Sequence, residues 1–114
     1  MPYLKIQISC ELEPEKSKAL LARASRTVAS ELGKPEQYVM VELATNPAML
    51  FAGTDEPSAF VELKSIGLPA GKTKTLSRVL CALLEEATGI AATRIHIEFA
   101  DAQGSHWGWN RSTF

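Results

Sequence analysis

The strongest constraint on this chain is that it reads as one unit written twice. Gly33–Ala44 overlays Gly89–Ala100 without a gap, and Tyr38-Val39-Met40-Val41-Glu42-Leu43-Ala44 lies over Arg94-Ile95-His96-Ile97-Glu98-Phe99-Ala100. A strand pattern and then a helix pattern precede each segment. In the first half Leu4, Ile6 and Ile8 alternate with Lys5, Gln7 and Ser9, which marks a half-buried strand. Pro14 stands where a helix tolerates a missing N–H. Leu20, Leu21, Ala24, Val28 and Leu32 then follow at helical spacing, and Gly33 supplies a left-handed stop. The second half repeats this order. It has a strand near Ala59 to Ile66, a helical stripe of Leu76, Val79, Leu80, Leu83, Leu84 and Ala87 closed by Gly89, and a last strand from Arg94 to Ala100.

A helix between consecutive strands makes them parallel, and the crossover is right-handed. Two such units in tandem predict an α+β fold, a four-stranded sheet carrying two helices on one face. The 114 residues suffice for a single domain, 1–114, with one core. Ile95, Ile97 and Phe99 should lie under the helices. Arg94, His96, Glu98 and Ala100 should point the other way, with Tyr3, Lys5 and Gln7, and Met40 and Val61 are expected on that face too. Such a polar second face is either solvated or turned toward neighbouring subunits, a common answer to exposed sheet edges.

Charge and composition exclude several classes of function. A net charge of −1 and a pI of about 6.1 argue against nucleic acid or an anionic membrane as the main partner. No apolar run approaches the roughly 18 residues of a membrane span. No signal-peptide pattern opens the chain. The cytosol is the expected compartment, with secretion by a non-signal route as the alternative. Cys10 and Cys81 are far apart, with no CxxC and no paired His at metal spacing, so free thiols and no metal site are expected.

The chain begins Met1-Pro2-Tyr3-Leu4. Aminopeptidases usually remove an initiator Met that precedes a small residue, and this would leave Pro2 as a rigid secondary amine at the start of a strand. An apolar cleft disfavours the charged form of an amine, lowers its pKa and lets it act as a base near neutrality. Three further segments complete the pattern. Gly33-Lys34-Pro35-Glu36-Gln37-Tyr38 puts a cation in the turn after the first helix. Ser65-Ile66-Gly67 ends the third strand, where a backbone N–H could meet a ligand oxygen. Gly108-Trp109-Asn110-Arg111-Ser112-Thr113-Phe114 is aromatic where chain ends are normally polar.

In this order, and over essentially the whole length, these segments resemble the macrophage migration inhibitory factor and D-dopachrome tautomerase family of the tautomerase superfamily. The resemblance implies a homotrimer of βαββαβ protomers around a central channel, with active sites between subunits and no cofactor. It implies keto–enol tautomerisation of small aromatic α-keto acids such as phenylpyruvate, and of D-dopachrome. Pro2 would be the acid–base group, Lys34 would pair with the substrate carboxylate, and the Ile66 N–H would donate to the ligand. Tyr3, Trp107, Trp109 and Phe114 would supply apolar wall. His96 and Glu98 stand where vertebrate members carry a Tyr and an Asn that reach the neighbour's site, and Trp107 replaces a smaller aliphatic residue. Glu98 would repel the substrate carboxylate and favour protonated Pro2, so weak activity is expected. The CxxC of the vertebrate cytokine is absent, Ser58 and Val61 standing at its cysteine positions. The alternative from a different class is a cytokine-like signalling or ligand-binding trimer, with a protein receptor and vestigial catalysis.

Overall fold

The computed structural model describes residues 1–114, and its elements follow the doubled pattern. Strand β1 (Pro2–Ile8) leads to helix α1 (Pro14–Leu32) and strand β2 (Met40–Thr45). Strand β3 (Ala59–Ile66), helix α2 (Thr73–Thr88) and strand β4 (Ile95–Ala102) repeat the order. A short hairpin of β5 (Gly108–Trp109) and β6 (Ser112–Thr113) ends the chain. Both long helices stop where glycine turns left-handed, Gly33 at φ 63° and Gly89 at φ 77°. Two boundaries differ from expectation. Tyr38 and Arg94 each close a one-turn 3-10 helix, Glu36–Tyr38 and Ala92–Arg94, instead of opening the following strand.

The sheet order is β2-β1-β3-β4. The pairs β1–β2 and β3–β4 are parallel, as the helical crossovers require, and β1–β3 is antiparallel at the centre. One face is the core. Leu4, Ile6, Ile8, Val61 and Leu63 are fully covered by Leu20, Ala24 and Val28 of α1 and by Leu76, Leu80, Leu83 and Leu84 of α2. Each such aliphatic side chain contributes about 1.5–3 kcal/mol by leaving water. Val61 corrects an expectation: it pairs with Ile6 and Ile97 and lies in the core, because its strand register puts Phe60, Glu62 and Lys64 on the open face. Cys10 and Cys81 are half-buried free thiols, and burial pushes the Cys81 thiol up.

Arg94 has a structural task that the strand pattern hid. Its Nε donates to the Pro57 carbonyl (3.0 Å), and its Nη2 to the carbonyls of Phe51 (3.2 Å) and Glu56 (3.0 Å). The guanidinium also lies over the Phe51 ring at 5.0 Å. One cation thus fastens the segment between β2 and β3. No helix is long and apolar enough to cross a membrane.

Candidate active site

The largest cavity, an open cleft of about 710 Å³, is built around the first residues of the chain. Met1 and the first residues of β1, Pro2 and Tyr3, enter it, with Tyr38, Met40 and Glu42 from the run into β2 and its first residues. Lys64 comes from β3, and Trp107 and Trp109 from the tail. Local causes place each wall. Pro2 pairs with Ser65 and Tyr3 with Lys64, so the antiparallel centre of the sheet sets β3 beside the chain start. Pro2 itself is fully buried.

Lys34 is fixed by the end of α1. Its backbone N–H donates to the Ala29 carbonyl (2.9 Å) while Gly33 donates to Ser30 (3.3 Å), the paired bonds of a helix stop. From there its charge reaches the amino terminus. The Met1 amine is held below its ordinary value, first by burial and second by the Lys34 ammonium. Two like charges near one another disfavour protonation of the weaker base.

The aromatic tail is anchored rather than frayed. Asn110 and Arg111 turn the hairpin with φ of 52° and 65°. The Phe114 N–H donates to the carbonyls of Gly104 (3.1 Å) and Trp107 (3.3 Å). Trp109 stacks on Phe114 (centroids 5.7 Å, planes 19° apart) and meets Tyr38 edge-on at 6.1 Å. Trp109 and Phe114 nevertheless stay half exposed, at 53% and 48%. Phe114 backs Trp109 and does not line the cleft of its own protomer.

Pro2, Tyr3, Trp107 and Trp109 therefore share one cleft, with Lys34 acting on its amine. Three other sequence-predicted residues do not line it within a single protomer. Ile66 is half-buried at the end of β3, level with Ala102. Glu98 is exposed on the open face beside Glu62. His96 lies at the far end of the sheet, beside Phe60, with its ring edge-on to Phe51 at 4.9 Å.

Among the lining residues not singled out from the sequence as site residues, two are charged, Glu42 and Lys64. Tyr3, expected as plain wall, donates its hydroxyl to Glu42 Oε1. Its phenol is pushed up to about 12, mainly by that hydrogen bond and then by burial and the charges of Glu42 and Glu62. Lys64 lies 3.8 Å from Glu62. A signal for Glu42 was present: the internal overlay puts it at the position of Glu98.

A doubled β-α-β sheet with a cleft around the proline that opens its first strand defines a tautomerase-type domain. The chain belongs to the macrophage migration inhibitory factor family, whose model, described as Macrophage migration inhibitory factor (MIF), matches residues 1–114. A macrophage migration inhibitory factor homolog of Brugia malayi is 38% identical, across 100% of this chain and 99% of its own length. The macrophage migration inhibitory factor of Meriones unguiculatus is 38% identical over 83% of this chain and 84% of its own. Among solved structures, a macrophage migration inhibitory factor homologue from Prochlorococcus marinus superposes with a TM-score of 0.93 at 42% identity, covering 98% of each chain.

Proposed function

We propose that this protein is a cofactor-independent keto–enol tautomerase of small aromatic α-keto acids or D-dopachrome, working as a homotrimer with the Pro2 amine as acid–base group once Met1 is removed. The observation that carries this reading is the cleft itself, built around Pro2 at the start of β1 and walled by Tyr3, Trp107 and Trp109. Burial and the Lys34 charge, which lower the Met1 amine, are the kind of surroundings that favour a neutral amine there. A neutral amine there takes a proton from the carbon beside the carbonyl, while the carbonyl oxygen is protonated by solvent. In the reverse direction the ammonium returns its proton to carbon. Lys34 holds the carboxylate and the Ile66 N–H donates to the ligand. Tyr3, Trp107 and Trp109 form the walls, Phe114 backs Trp109, and His96 and Glu98 enter from the neighbouring subunit.

The test is ketonisation of phenylpyruvate, followed by ultraviolet absorbance on protein whose amino terminus is read by mass spectrometry. Pro2→Ala lowers the rate by a factor on the order of 10² or more. Full activity in protein that keeps Met1 sinks the proline reading, because the Pro2 nitrogen is then an amide without basicity. A second reading, a ligand-binding or signalling trimer with vestigial catalysis, is favoured by Glu98, exposed on the open face, whose carboxylate would oppose a bound keto acid and a neutral amine.

A further inference from the structure

Two groups of the keto-acid site are carried by different elements: Lys34 follows α1, and Ile66 ends β3. One substrate molecule can meet both only if the end of α1 keeps its place against the end of β3. A single side chain joins them. From Ile66 the chain reaches α2 through Gly67-Leu68-Pro69-Ala70-Gly71-Lys72, whose last three residues form a 3-10 turn. At its start this connector is tied to β4. The Gly67 N–H donates to the Ala102 carbonyl (3.4 Å), and the Leu68 N–H to Asp101 Oδ1 (2.8 Å). At its end the Lys72 ammonium crosses to α1, where it donates to the Glu31 backbone carbonyl and lies 3.6 Å from Glu31 Oε2.

The crossing has a local cause. The last carbonyls of a helix have no intrahelical N–H to receive. Gly33 and Lys34 turn back to the carbonyls of Ser30 and Ala29, and the Glu31 carbonyl is met by Lys72. α1 has no basic residue in its own last turn, so Lys72 supplies the cation that the negative end of the helix favours. Both partners are half-buried, which limits screening of the pair.

We propose that Lys72 is a positioning residue: by tying the end of α1 to the connector after β3, it holds Lys34 in register with Ile66 around the carboxylate end of a bound keto acid. This rests on the keto-acid reading above. Lys72 does not line the cleft, so it acts through Lys34 and not on the substrate.

Trp107 and Trp109 line the cleft, so their quenching reports binding without turnover. Protein shown to begin at Pro2 is titrated with phenylpyruvate and with its methyl ester, which lacks the charge that Lys34 holds. Ketonisation of phenylpyruvate is followed in parallel. Lys72→Met keeps the apolar stem and removes the ammonium. It weakens phenylpyruvate binding about fivefold, the scale of one partly exposed ion pair, and leaves the ester within about twofold. KM rises with the dissociation constant while kcat stays within about twofold, since the base is untouched. Lys72→Arg, which keeps the charge, recovers most of the loss. Glu31→Gln keeps the carbonyl bond, gives a smaller loss of the same kind, and carries the test if Lys72→Met does not fold. Lys34→Ala abolishes the preference for acid over ester. On that background Lys72→Met adds nothing, because a residue that acts through another is not additive with it. Equal weakening of acid and ester, unchanged binding, or a full loss on top of Lys34→Ala each overturns the proposal while the keto-acid reading stands. An acid preference that survives Lys34→Ala removes the carboxylate partner from that reading, and the proposal falls with it.

Discussion

Tyr3 shows how a residue can be placed correctly by pattern and still be given the wrong chemistry. Alternation put it on the open face, and its aromatic ring suggested wall. The hydroxyl instead belongs to a cross-strand pair with Glu42. A phenol that donates to a carboxylate loses that bond on ionising, so its folded value rises above the ordinary one, to about 12. The sign follows for stability. The pair's contribution is complete below the unfolded value of about 10 and disappears as pH rises through the folded one. Spectrophotometric titration should therefore resolve a late phenolate phase that Tyr3→Phe removes and Glu42→Ala moves down toward the ordinary value. A single phase unaffected by Glu42→Ala contradicts the pair. No spacing along the chain announces this bond, since the partners come from different strands and meet only through register.

At the scale of elements, the hairpin that ends the chain is held by a close backbone approach. A Cβ on Gly104 would meet the backbone carbon and oxygen of Phe114 at 2.8 Å. Backbone cannot swing aside as a side chain does, so Gly104→Ala should lift Phe114 away and release Trp109 from both its ring contacts. Tryptophan emission should shift to the red and ligand binding weaken at least severalfold, with the core helices intact by circular dichroism. Unchanged emission would show that the tail adapts. Arg94 makes the complementary case for the segment between β2 and β3. Arg94→Ala removes four charge-assisted bonds, the weakest to Thr54 at 3.5 Å, from partly exposed carbonyls and should cost about 2 kcal/mol in denaturant unfolding. Arg94→Lys should recover little, since an ammonium cannot reproduce the planar fork. A loss below about 0.5 kcal/mol would mean that water replaces the guanidinium at no cost.

For the whole molecule, exposed apolar surface argues for assembly. Met40 is 66% exposed and Phe60 37% on the open face, Leu50 72% in the following loop, and the aromatic tail is half in solvent. Strand β2 also leaves one edge without a partner. Scattered apolar residues need no explanation, but a sheet face, an edge and a tail together fit an interface. Light scattering should give a trimer at micromolar concentration, and deletion of Trp109–Phe114 should weaken it. A monomer would remove the intersubunit site. Glu98 tests the same assembly through chemistry. It lies outside the cleft of its own protomer, so it affects catalysis only from a neighbour. Glu98→Asn should raise tautomerase activity about fivefold, the equivalent of ~1 kcal/mol for a partly screened charge, and move the pH optimum downward. If both stay unchanged in a verified Pro2-terminated trimer, Glu98 does not reach the site.

Local periodicity carried the elements. The two helices with their glycine stops, four strands, parallel pairing within each half and the core face of β1 and β4 all follow from spacings within a few residues of each other. A helix or a half-buried strand must repeat its apolar residues at its own period, and that period is written along the chain. The segments around Pro2, Lys34, Ile66 and the aromatic tail were legible for a different reason, since their order matched a known family. Tertiary structure decided what spacing cannot encode. The antiparallel contact of β1 with β3 sets Pro2 against Ser65, places Val61 in the core and brings Lys64 to the cleft. The β1–β2 register joins Tyr3 to Glu42. Side chains from distant segments meet only when strand order and register are chosen. Those are settled by which faces bury best against both helices at once, a property of the assembled core and of no single stretch of sequence.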